Sequence, residues 1–408
     1  MITLMKRLTL AVAVLLLLTT FPQAQSDPSK LPRLEPANLQ YLGSFRVPVE
    51  DLGGAGLSYG GQPIAFNPAN NSLFVGNMNQ RVTEVSIETP DAAGSKVARY
   101  LQQTLADPAE GRLREIAPEV GSVGLYGLLV DGGRLIVGAS PYYDANGMQT
   151  VSHFARSTNL SEPSFSGWSR VWQEKKQGFV GGWMAWVPQE WRALLGGPAI
   201  TGNGALSIIT RTSFGPSAFA FDPAKIGQPA VPATPLLYYP GDHPTLGTWG
   251  GSNGSKGPNI YFNQSAQIGG VVIIPATRTA LYFGRIGVGS ECYGYGVKDK
   301  SLHGKPAADT VTNCYDPLHT AKGSHAYPYR YQMWAYDLND WAAVQRGKGQ
   351  PWSVRPYAVW PIEQLSPTPV PASAAWRYDP PSRRSTSRSF RQTRSAAARC
   401  CHSFTPSR

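Results

Sequence analysis

Gly250-Gly251-Ser252-Asn253-Gly254 carries the spacing of a nucleophile elbow, in which a serine on a strained strand-to-helix turn attacks an acyl carbon. Such a serine needs a histidine to take its proton and a carboxylate to orient the ring. Asp242-His243 precedes it in Tyr238-Tyr239-Pro240-Gly241-Asp242-His243-Pro244, and His325 stands in Gly323-Ser324-His325-Ala326-Tyr327-Pro328-Tyr329. Ser252, His243, His325 and Asp242 are therefore the candidate catalytic residues. Trp249, Trp183 and Tyr327 are candidate flat surfaces for a substrate. The flanks of Ser252 read as neither strand nor helix, so a chance match in a Gly/Ser-rich chain is the competing reading. For the histidines the alternative is a ring that bonds a turn and packs on tyrosine.

Other chemistries need groups that the chain supplies less clearly. Glycoside hydrolysis needs two carboxylates facing each other across a cleft; Glu174, Glu190, Asp242 and Glu291 lie in suitable regions, but spacing along the chain does not set their separation. Asp144-Ala145-Asn146-Gly147 begins like a calcium loop and lacks the distal glutamate, so a hairpin turn accounts for it better. No cofactor is expected, calcium at this loop being the weak exception, and no metal-ligand set is assigned. Cys292 and Cys314 have similar surroundings and no further ligands at close spacing, which favours a disulfide over a metal site.

The net charge of +11 suggests nucleic-acid binding until it is divided along the chain. Residues 377–408 hold eight arginines against one aspartate, Lys6 and Arg7 add two more charges, and only +2 remains for residues 8–376. The body is nearly neutral, and a nucleic-acid partner is rejected. Lys6-Arg7, the largely apolar Leu8–Leu18 and the small-residue region ending at Ala24 read as a secretory signal over residues 1–24, with a retained N-terminal anchor as the alternative. A Pro-rich leader, residues 25–38, follows. No later stretch is apolar enough to span a membrane as a helix, so export to a bacterial periplasm or beyond, as a monomer, is expected.

The elements that must position these residues read as strands. The 408-residue chain contains 43 Gly, 35 Pro, 11 Trp and 19 Tyr, a mix that suits short strands joined by tight turns. Gln62–Val75 runs strand, Asn67-Pro68 turn, strand. Gly124–Gly138 repeats the plan around Asp131-Gly132-Gly133, and Gly270–Gly284 repeats it around Pro275. Leu39–Val47 and Arg81–Ile87 are further strands. Phe219–Asp222 and Trp334–Asp337 share an aromatic-Ala-aromatic-Asp pattern, each ahead of a short helical link. Recurrence of strand–turn–strand units along the chain predicts an all-β architecture.

Ala65-Phe66-Asn67-Pro68 with Leu73-Phe74-Val75, and Tyr378-Asp379-Pro380, resemble the repeats of β-propeller proteins of the NHL or YVTN kind. The resemblance implies a propeller over residues 39–384, with about five or six four-stranded blades and long loop insertions; a β-sandwich or several smaller β domains is the alternative. It transfers no catalytic residue. The insertion between Ser290 and Ala326 is where specificity would sit.

Residues 385–408 break the pattern, because no strand follows Tyr378–Arg384 as Leu73–Val75 follows Asn67-Pro68. Permissible codons for Ser385–Thr393, read one base earlier, spell Ile-Tyr-Val-Ser-Gln-Phe-Pro-Pro-Asp. The basic tail is thus expected to be either an out-of-frame reading of closing strands or a disordered segment. The functional expectation is an exported propeller hydrolase acting on an ester, lactone or glycan. The alternative is a non-catalytic propeller that binds a small molecule or glycan or serves as a scaffold.

Overall fold

The computed structural model describes residues 27–52, 56–57, 63–172, 174, 176–204, 211–241, 262–305 and 313–362, and the backbone strands Ser373–Trp376, Ser387–Phe390 and Cys400–Pro406. The described residues are mostly strand, in several small sheets, with two short α-helices, Arg192–Leu195 and Leu338–Gln345, and a few 3-10 turns. The chain is all-β, as its turn chemistry predicts.

Four antiparallel sheets follow one another along the chain. The first joins Ile64–Asn67, Ser72–Gly76 and Val82–Ser86; the second joins Val123–Asp131, Arg134–Pro141 and His153–Ser157. The third orders Met184–Trp186, Ala199–Thr201, Ala218–Phe221 and Ala233–Leu237 from one side to the other. The fourth orders Gln267–Ile274, Thr279–Gly287, Tyr329–Asp337 and Ala358–Pro361 in the same way. Beyond them Ser373–Trp376 pairs with Ser387–Phe390, which lies alongside Cys400–Pro406. Cys400–Pro406 in turn pairs antiparallel with the N-terminal strand Leu39–Arg46.

The turns explain themselves locally. In the first sheet Asn67 Oδ1 accepts the Ala69 amide at 3.1 Å, closing the expected Asn67-Pro68 turn. Glu84, buried on the third strand, accepts hydrogen bonds from the side chains of Asn67, Asn70, Ser72 and Gln102. Burial pushes this carboxyl up, and those donors outweigh burial and hold it below its ordinary value. In the second sheet Asp131 pairs with Arg134 across Gly132-Gly133, and Gly132 takes φ +58°, which a side chain would resist.

Successive sheets meet through their first strands: Ile64–Asn67 lies beside Val123–Asp131, then come Met184–Trp186, Gln267–Ile274 and Ser373–Trp376. Two indoles register the middle of this series. Trp183 Nε1 donates to Ile268 O at 2.8 Å near the beginning of two first strands, and Trp186 Nε1 donates to Val130 O at 3.2 Å near the end of two. The first strands of these three sheets therefore run in the same direction, beginnings with beginnings, and the Leu125 amide, donating to Gln80 Oε1 at 2.6 Å, sets the first sheet the same way. At that opening edge the chain approaches itself closely. A Cβ on Gly127 would lie 1.8 Å from Gly182 O, and one on Gly182 would lie 2.1 Å from Gly204 N, so both positions demand glycine.

A common direction sorts the connections. The links 77–81, 142–152, 202–217 and 288–328 all leave from the opening edge, while 68–71, 132–133 and 275–278 are tight turns at the far edge. The helix Leu338–Gln345 also begins at the far edge, where Asp337 caps it and pairs with Arg33 and Arg278 at 2.8 and 3.1 Å. The interior between sheets is aromatic: Trp191, Trp334, Trp341, Tyr239, Tyr282 and Tyr336 are fully buried.

Candidate functional site

The longest link at the opening edge, between Gly287 and Tyr329, is where the described residues gather the most chemistry. It forms a sheet of its own: Cys292–Val297 pairs parallel with Asn313–Tyr315 and antiparallel with Lys322–His325. The expected disulfide is present, Cys292 to Cys314 with Cα atoms 5.8 Å apart, and it ties the two parallel strands together.

Behind the disulfide lies a buried polar cluster. Asp316, fully buried, accepts His325 Nδ1–H at 2.8 Å and the Tyr329 hydroxyl at 2.6 Å on Oδ2, and the amides of Leu318 and His319 on Oδ1. Burial pushes the Asp316 carboxyl up, but these donors, His325 first, outweigh burial and hold it well below the usual carboxylate range. His325 is 4% exposed, and its Nε2 faces two carbonyl oxygens, Gly294 at 3.1 Å and Ala321 at 3.0 Å. Acceptors on both sides of the ring require hydrogen on both nitrogens. In this arrangement His325 forms a buried ion pair with Asp316, and Nε2 offers no lone pair to a substrate proton. Gly296 lets the strands close around it, since a Cβ there would lie 1.7 Å from His319 O.

On the outer side of the cluster the rings of His303, Tyr315, Tyr327, Tyr329 and His319 form a connected series. Centroids are 5.0 Å apart for His303–Tyr315, 5.4 Å for Tyr315–Tyr327, 6.1 Å for Tyr327–Tyr329 and 5.4 Å for His319–Tyr329, most pairs meeting edge to face. His303 is exposed and the three tyrosines are half-buried, so the series presents ring faces and hydroxyl edges to solvent. Tyr295 adds an exposed ring with Lys322 Nζ 6.0 Å from its centroid. Arg285 lies against the inner end, its guanidinium 4.2 Å from the Tyr329 centroid and its Nη1 bonded to His319 Nε2. Burial, then the Arg285 charge, lowers His319 to about 4, so its ring is neutral and accepts that bond at neutral pH.

Of the residues singled out in the sequence, Tyr327 is in this ring series and His325 is directly beneath it. Trp183 is elsewhere: at 6% exposure it is wedged between the third and fourth sheets, where protein atoms take up its surface. Asp242, His243, Trp249 and Ser252 lie outside the described residues. The described residues flanking them, Tyr239 and Phe262, are in ring contact at 5.2 Å. Asp144 accepts the amides of Met148 and Gln149 at 2.7 and 3.0 Å, and the Ala145 carbonyl accepts from the Arg211 guanidinium; these contacts make the loop a turn whose oxygens face protein donors. Among the described residues no group of three or more His, Cys, Asp or Glu is placed to hold a metal ion.

Sequence reading missed Asp316, Arg285 and His153. Asp316 sits in Tyr315-Asp316-Pro317, which reads as a turn, and nothing in the chain links it to His325 nine residues later. His153, fully buried in the second sheet, lies between Ser152 Oγ at 2.9 Å and Thr201 Oγ1 at 3.0 Å. Burial lowers it to about 3.

No protein-family model matches the chain, and no curated protein matches it. Among solved structures it is similar to a luciferin-regenerating enzyme at 8% identity, over 94% of each chain, with a TM-score of 0.34.

Proposed function

We propose that this chain is an exported β-propeller protein of five blades that binds a glycan through the tyrosine face of its disulfide-tied insertion. The side-by-side first strands, running in one direction, support the radial arrangement. The terminal strand Leu39–Arg46, set against Cys400–Pro406, supplies the outer strand of the fifth blade. The observation that carries the binding reading is the ring series of exposed His303 and half-buried Tyr315, Tyr327 and Tyr329. Flat apolar faces with polar edges suit a sugar ring, and the disulfide and the Asp316–His325 pair beneath hold them in place before a ligand arrives. The disulfide and the signal-like N-terminus support export. Among the described residues no helix is long and apolar enough to cross a membrane. Titration of the oxidised protein with neutral and acidic oligosaccharides tests the reading: saturable binding weakened at least about tenfold by Tyr327→Ala supports it. Binding indifferent to that change overturns it.

The hydrolase reading stands second. It is favoured by Asp242-His243 and the Gly250–Gly254 motif falling in one segment whose flanks meet at the opening edge. Turnover of an ester, lactone or glycan panel, lost in both Ser252→Ala and His243→Ala, would establish it; turnover untouched by both changes would exclude that site.

A further inference from the structure

Arg285 is a buried cation whose surroundings leave its charge unmatched. It stands on Thr279–Gly287, two residues before the strand gives way to the insertion, and is 5% exposed. A guanidinium stays protonated in proteins, and a buried charge is expected to meet an opposite one. The ion pairs of the described residues involve Arg33, Arg134, Arg278 and His325, and none reaches Arg285. Its neighbours are a neutral histidine, His319, and the face of Tyr329. Its Nε–H is buried and has no acceptor among the described residues. Asp316, the carboxylate of this cluster, is committed to His325, Tyr329 and two amides. The two groups covering the guanidinium, His319 and Tyr329, are only half-buried, and Tyr329 continues directly into the ring series. Cationic donors with free valence, set beside flat rings open to solvent, suit a ligand that combines a carboxylate with a sugar face.

We propose that Arg285 is an anion-binding residue that receives the carboxylate of a uronate-bearing glycan whose sugar face lies on Tyr327 and Tyr315. The inference rests on the glycan reading of the tyrosine face. Calorimetric titration of the oxidised full chain with an oligouronate, the same oligomer as its methyl ester, and inorganic phosphate separates the two. The acid is expected to bind about tenfold or more tighter than the ester, the size of a hydrogen-bonded charge. Arg285→Lys is expected to bring the acid down to the ester's affinity with the ester unchanged, and Tyr327→Ala to weaken both. Equal binding of acid and ester by the unaltered protein overturns the role of Arg285 and leaves the glycan site standing. Phosphate binding as tight as that of the oligouronate overturns the uronate assignment. Binding of no probe overturns both.

Discussion

Two buried histidines, one in the sheets and one in the insertion, have opposite electrostatics. His153 is flanked by hydroxyls. Thr201 gives its hydrogen to Val180 O, so the ring donates to Thr201 from Nε2, while Nδ1 accepts from Ser152, whose hydrogen is shared with Gln177 Oε1. His325 is flanked by a carboxylate and two carbonyls and carries a hydrogen on each nitrogen. Burial alone makes the first ring neutral, whereas the second meets an acceptor at each nitrogen. The sheets can spare His153 its hydrogen bonds, because both hydroxyls have other acceptors. The insertion has no such reserve, and its ion pair takes the place of the apolar core that a short irregular segment cannot build.

Breaking the pair is therefore expected to produce the largest effect. Asp316→Asn leaves the His325 charge buried without its partner, and a loss of about 3–5 kcal/mol is expected for the insertion. Limited proteolysis between Gly287 and Tyr329, with loss of ligand binding at Tyr327, is the measurement; a protease-resistant insertion would refute the ion-pair account. Replacing Cys292 and Cys314 together by serine comes next, at about 3 kcal/mol for a loop of this length. That loss should appear in the same proteolysis assay under oxidising conditions and vanish when the unaltered protein is reduced.

Acid should separate the two neutral histidines from Asp316. His153 and His319 have folded values of about 3 and 4 against an ordinary 6.5, so the unfolded chain binds more protons in that interval. Their contribution is complete above pH 6.5 and is lost progressively as pH falls from there toward 4 and 3. The Asp316 contribution, from a carboxyl held below its ordinary 3.8, is complete above that value and is lost progressively as pH falls below it. Melting temperatures across the range, with no decline between 6.5 and 4, would count against the neutral histidines. The smallest effect is expected for His153→Leu: about 1 kcal/mol, because Ser152 and Thr201 keep Gln177 and Val180 as acceptors. The acid-side slope should flatten in this variant. A cost equal to that of Asp316→Asn would erase the distinction between the two rings.

What the chain revealed in advance follows from the range of the interactions involved. Strand pairs about Asn67-Pro68, Asp131-Gly132-Gly133 and Pro275 were legible because a turn and its flanking strands are fixed within a dozen or so residues. The aromatic-Ala-aromatic-Asp segments were legible as strand ends for the same reason: Asp222 and Asp337 cap the helical turns that follow. Cys292 and Cys314 were legible because few other partners compete for a thiol. Asp316, Arg285 and His325 were not legible as a group, because they meet across an insertion joining two strands of one sheet, and residue type alone gives no distance. His325 shows the cost: a histidine in a Gly/Tyr/Pro loop suggests a base, and only its two carbonyl neighbours reveal a cation. Trp183 is similar, since an indole suited to a sugar is equally suited to the seam between two sheets.

The one-sided distribution of connections has a practical side. Gly132 and Gly133 end a two-residue turn at the far edge, and a Cβ at either would meet no atom within 4 Å. A peptide tag, a fluorophore-bearing cysteine or a surface linker placed at Gly133, whose backbone is not left-handed, would leave through open solvent, on the side away from the tyrosines. The molecule can thus be immobilised by its back, with the disulfide-tied insertion facing the solution, and a ligand could be presented to it as to an oriented sensor.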